Sequence, residues 1–127
     1  MAMFMGDTPY TRKQIQTSVG GELQTYLPQK NQRILAGCFS VEMNPNAPRE
    51  IFAGDRPKVR KKAELIANQP ENVFPVFIKA KQSDREYFFR GMFKCIGITN
   101  DRATISKAEI LSGRHGQLAY VIYLDGA

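Results

Sequence analysis

From Val73 to Ile98 apolar and polar positions alternate along two arms, and Gln82-Ser83-Asp84-Arg85 interrupts them. The stretch therefore predicts two antiparallel strands joined by a polar turn. With those four residues as the loop, Phe74 lies opposite Phe93, Val76 opposite Gly91, Phe77 opposite Arg90 and Ile78 opposite Phe89. This register gathers Phe74, Val76, Ile78, Ala80, Tyr87, Phe89, Phe93 and Cys95 on one face, the expected core. The other face carries Phe77, Lys79, Lys81, Glu86, Phe88, Arg90, Met92 and Lys94. There Arg90 beside Phe77, and Lys79 beside Phe88, are expected as cross-strand pairs of cation and ring.

The rest of the chain is punctuated by proline and glycine. Met1 to Asp7 shows no usable period and is expected as a tail, in part disordered, ahead of one domain over residues 8–127. Thr8-Pro9 resembles a helix cap followed by proline at the first helical position, with Tyr10, Ile15 and Val19 as the apolar stripe and Gly20-Gly21 as the stop. Leu23 to Leu27 and Arg33 to Met43 alternate as strands, and Gly37 in the second offers a bulge or a close backbone approach. Asn44-Pro45-Asn46-Ala47-Pro48 predicts a rigid loop, because each proline removes a donor and restricts the residue before it. Ile51 to Ala53 follows as a short strand. Pro57 then opens a helix to about Gln69 with Val59, Ala63 and Ile66 inward. Ala103 to Ile110 fits a strand or a helix, and Leu118 to Leu124 reads as a buried closing strand. The pattern predicts an α+β domain: a small curved mixed β-sheet or barrel of five or six strands with two flanking helices.

Composition narrows the function. The 127 residues suit one domain with a core that needs no staples. Eighteen Lys and Arg against 12 Asp and Glu give a net charge of +6, which favours a polyanionic partner. Cys38 and Cys95 both sit in apolar strand patterns and are expected as buried free thiols, suiting a reducing cytoplasm. No apolar run approaches the roughly 20 residues of a membrane helix, so no membrane partner is expected.

Catalytic chemistry finds little footing in the sequence. His115 is the single histidine and has no cysteine or carboxylate at metal-ligand spacing, so neither a metal nor another cofactor is expected. Phosphate-loop, dinucleotide and nucleophile-elbow motifs are missing. Asp55 in Gly54-Asp55-Arg56 has no second acid or base, and Ser112 near Arg114 and His115 lies in a glycine-rich loop unsuited to holding a nucleophile. What remains is a basic surface interleaved with aromatics. Arg56, Lys58, Arg60, Lys61 and Lys62 crowd the start of the second helix, where the helix dipole disfavours cations. Together with Lys79, Lys81 and Arg90 they are the candidate phosphate contacts. Phe39, Phe52 and Tyr87 could wall a pocket for an extruded base, with Asn44, Asn46 and Asp55 on its polar edge. The competing readings are core for the rings and turn chemistry for the asparagines.

Three segments carry a resemblance: the strand leading into Asn44-Pro45-Asn46-Ala47-Pro48, then Phe74-Pro75-Val76-Phe77-Ile78-Lys79, then Glu86-Tyr87-Phe88-Phe89-Arg90-Gly91-Met92-Phe93. Together they resemble the SRA-like modules of the PUA-like superfold that occur beside HNH nucleases in modification-dependent restriction systems. The likeness spans about half the chain, residues 34–98, and lacks the Tyr-Asp-Gly-type motif of eukaryotic SRA domains. It implies a curved barrel without catalytic activity that binds double-stranded DNA, flips out a modified cytosine between aromatic rings, and works with a nuclease partner. A PUA-like RNA-binding domain and a protein-interaction adaptor are the alternative readings.

Overall fold

The computed structural model describes residues 4–127. Its elements are β1 (Pro9–Thr11), α1 (Arg12–Val19), β2 (Gln29–Lys30), β3 (Arg33–Ile34), β4 (Gly37–Ser40), β5 (Glu50–Gly54), α2 (Pro57–Ala67), β6 (Phe74–Lys79), β7 (Glu86–Thr99), α3 (Arg102–Ser112) and β8 (Leu118–Gly126). The fold is α+β, with five strands in the order β4-β6-β7-β8-β5 curled into a half-barrel. β4 runs parallel to β6 and every other pairing is antiparallel. β1 adds to β7 at Glu86 to Phe88, and β2 with β3 forms a separate ladder.

Among the described residues three helices, not two, flank the sheet. The ambiguous segment is α3, because Asp101 caps it by accepting from the backbone N–H and the hydroxyl of Thr104, both at 3.0 Å, and Gly113 ends it in a left-handed conformation. The first helix starts later than Thr8-Pro9. Pro9 to Thr11 pairs with β7, and Thr11 with Gln14 forms the capping box. Leu23 to Leu27 is loop, and Arg33 to Met43 is broken into β3, β4 and a turn. Within the expected tail, Met1 to Met3 lie outside the described residues. Phe4 packs edge-on against Phe77 at 4.8 Å between ring centroids, so packing begins before Thr8.

The two faces of the sheet bury different clusters. Phe39, Ile51, Ala53, Phe74, Val76, Ile78, Phe93, Cys95, Ile122 and Leu124 point to one face, where Ala63 and Ile66 of α2 cover them. On the other, α1 brings Ile15 over Cys38, Phe77 and Tyr87, and α3 brings Ala108 over Phe52, Leu118 and Val121.

The central register holds for half its length. Phe74 faces Phe93 and Val76 faces Gly91 as the alternation predicts, but a bulge then leaves Arg90 unmatched. Phe77 lies opposite Phe89, and Ile78 opposite Phe88. A shift of one residue turns every later side chain to the other face. Tyr87 and Phe89 therefore join Phe77 instead of Phe74 and Val76, and Phe88 is left 43% exposed. The expected pairings of Arg90 with Phe77 and Lys79 with Phe88 fall with the register. Lys79 Nζ instead sits 4.7 Å above the Tyr87 ring. A second bulge leaves Ile96 unmatched opposite β8. Gly91 and Gly97, at φ of 120° and 151°, take the backbone values these bulges require.

Candidate ligand cavity at the open seam

A sheet that curls without closing leaves two edges, here β4 and β5, whose outward backbone groups need partners. Two side chains tie β5 to β4 and the turn that follows it. Asn44, buried in the turn after β4, donates from Nδ2 to the Ser40 carbonyl at 3.1 Å and accepts at Oδ1 from the Phe52 N–H at 2.8 Å. Arg114, from the loop before β8, donates from Nη1 to the Phe52 carbonyl at 2.9 Å and to the Met43 carbonyl at 3.2 Å. Beside these bridges the seam gapes into a cavity of about 730 Å³.

Its walls come from six parts of the chain. Cys38, Phe39 and Ser40 of β4 face Ile51 to Gly54 of β5, α2 adds Lys58, Val59, Lys61 and Lys62, and the loop before β2 adds Glu22 and Gln24 to Tyr26. Tyr87, Gln82, Met43, Asn44 and Arg114 complete it. Gly37 sets one wall: a Cβ there would lie 2.6 Å from the Phe39 ring, so the glycine gives the close approach that lets the ring lie along β4.

The polar groups differ in how firmly they are held. Lys62 Nζ donates to Glu22 and to the Leu27 carbonyl, both at 2.7 Å. Burial raises the Glu22 pKa, but the Lys62 bond and the Gln29 N–H outweigh it and bring the carboxyl from 4.5 down to about 2. Tyr26 donates to the Val59 carbonyl at 2.8 Å, and burial raises its pKa. Burial pushes the Cys38 thiol up to about 11 and the Tyr87 hydroxyl up to about 12, although Arg12 draws both down. Burial also lowers the pKa of Arg114, against the pull of Tyr26. Arg114 Nε is buried without a partner, as are Arg12 Nε and Nη1.

Of the expected pocket residues, the cavity gathers Phe39, Asn44, Phe52 and Tyr87. Asn46 and Asp55 are exposed and do not line it. Asn46 Nδ2 bonds Glu50, and the Asp55 N–H reaches back to the Gln117 carbonyl of the loop before β8. Asn44 has both of its side-chain polar atoms engaged in holding the seam. The expected cation cluster divides as well. Lys58 and Lys61 are free at the cavity wall and Lys62 is paired, while Arg60 lies beside Tyr120 and Arg56 is exposed at the cap of α2. Lys79 is tied to the Gln82 and Asp84 carbonyls, and Lys81 and Arg90 are exposed.

Arg114 and Tyr26 line the cavity without having been marked by the alternation. The available signal for Arg114 was an arginine between glycines immediately before a buried strand. Among the described residues no group of His, Cys, Asp and Glu could hold a metal, and no helix is long and apolar enough to cross a membrane. No protein-family model, curated protein or solved structure matches the chain.

Proposed function

We propose that this chain is a nucleic-acid-binding module, not an enzyme, and that its seam cavity receives a base flipped out of duplex DNA. The observation that carries this reading is the cavity itself. It falls within the roughly 300–1,000 Å³ range of small-ligand sites, draws walls from Tyr26, Phe39, Phe52 and Tyr87, and has Lys58 and Lys61 free beside it. Rings offer a base its stacking surface, and unpaired cations beside the opening suit the flanking phosphates. The curled mixed sheet is compatible with a PUA/SRA-like barrel. In that setting the base is a modified one, the effector is a nuclease partner, and the two buried free thiols suit the cytoplasm.

The test is one titration. Duplex carrying a central modified cytosine, the same duplex unmodified, and single-stranded RNA of matching sequence are compared between about 50 and 200 mM salt. The proposal expects duplex affinity to fall steeply with salt and the modified duplex to bind more tightly. Tyr87→Ala should erode that preference more than it weakens binding overall. Tightest binding to RNA would move the assignment to a PUA-like RNA-binding domain. A chain that ignores all three at low salt is an adaptor or a small-ligand protein.

A further inference from the structure

The cavity is unevenly supplied with hydrogen-bonding groups. Its acceptors are mostly engaged: Asn44 Oδ1 by Phe52, Ser40 Oγ by the Met43 N–H, Gln82 Oε1 by the Ser40 hydroxyl, and Glu22 by Lys62 and Gln29. Donors remain, and the most firmly placed of them belongs to Arg114. Its guanidinium is pinned through Nη1 to two backbone carbonyls, so its plane is set before any ligand arrives. The Nε–H is buried without a partner, and planarity puts it side by side with one N–H of Nη2 on the edge that Nη1 does not occupy. Gly54 lines the cavity next to this edge; a methyl added there would lie 3.4 Å from Nη2.

We propose that Arg114 reads the extruded base through this two-donor edge, and that the base is one presenting two adjacent acceptors. Guanine does so with O6 and N7, cytosine does so with N3 and O2 once extruded, and so does a base carrying a carboxylate. Adenine has no two adjacent acceptors: its N1 and N7 each lie beside the 6-amino group, which sets donor against donor and leaves one N–H of the edge unpaired. Within the cavity Glu22 is the one carboxylate, already held by Lys62, so an exocyclic amino group meets no free acid there. Asp55, the carboxylate expected to meet such a group, lies outside. The inference rests on the base-pocket reading above, and its test separates the two.

Duplexes with one central unpaired nucleotide are titrated by fluorescence anisotropy at fixed salt, the nucleotide being guanine, adenine, cytosine, 5-carboxylcytosine or an abasic site. Guanine, cytosine and 5-carboxylcytosine should each bind at least about 10-fold more tightly than adenine, the usual scale for a bidentate arginine contact. Arg114→Lys keeps the charge but not the fork and should bring these ratios to within about twofold. Gly54→Ala, which keeps Arg114 and crowds its free edge, should shrink them too, and it decides the matter alone if Arg114→Lys fails a thermal-unfolding check. If all four bases bind alike and tighter than the abasic duplex, the cavity takes a base that Arg114 does not read, and this proposal alone falls. If the abasic duplex binds as tightly as the rest, the base-pocket reading falls and takes the proposal with it.

Discussion

Asn44 shows how one residue type serves two roles that the sequence does not separate. Within a proline-rich loop it suits both a turn and a base edge. The decision comes from the Phe52 N–H, which arrives on another strand and has no better partner. Asn44→Ala should therefore cost about 1–3 kcal/mol in urea unfolding, the usual penalty for a buried donor left unpaired. An unchanged midpoint would show that the seam finds another acceptor. Arg114 was harder to see, because its partners Met43 and Phe52 lie 71 and 62 residues away and no period marks a loop residue. Glu22 offers a pH handle on the same site. With its pKa lowered on folding from 4.5 to about 2, it adds stability that is full above about 4.5 and disappears as pH falls through 2. Glu22→Gln should flatten the acid limb of stability in that window. The effect will be small because the carboxylate is 43% exposed.

At the scale of elements, β7 was legible in extent and wrong in part of its facing. Fourteen residues of alternation mark a strand, and Gly91 and Gly97 in it are what a curled sheet needs, but alternation alone does not say where an extra residue is inserted. The bulge at Arg90 brings Tyr87 onto the Phe77 face, where it can pack with Cys38 and still reach the cavity. Gly91→Ala and Gly97→Ala should each destabilise the domain by about 1 kcal/mol or more, since an L side chain is strained at these φ values. Neither glycine is crowded, with the nearest atom to a Gly91 Cβ at 3.8 Å and nothing within 4 Å of Gly97, so the loss measures backbone conformation and not overlap. Gly37→Ala makes the contrast. It meets the Phe39 ring at 2.6 Å and should displace a cavity wall, so it is expected to weaken both stability and binding. α3 shows the other limit of reading by period: its mixed pattern fits either element, and the Asp101 cap with Gly113 decides it.

For the whole molecule, a net charge of +6 said that a polyanion was plausible without saying where it would lie. The fold sorts the basic residues that the sequence placed in one cluster. A helix turns about 100° per residue, so Lys58, Lys61 and Lys62 come to the cavity while Arg60 goes to Tyr120. Lys62 is neutralised by Glu22, and Lys79 is held in the hairpin turn by two carbonyls, which leaves Lys58 and Lys61 as the cations free to meet phosphates beside the opening. Reversing both, as Lys58→Glu with Lys61→Glu, should weaken duplex binding by a similar factor for every sequence and lower the salt slope by about one per side chain. Arg60→Glu, on the same helix and with the same change in net charge per substitution, should have clearly less effect on the slope. Equal losses from Arg60→Glu and from either lysine would mean that net charge, and not the mouth of the seam, governs association. A loss confined to one base context would instead make Lys58 or Lys61 a reader of the base and move the recognition surface from Arg114 to α2.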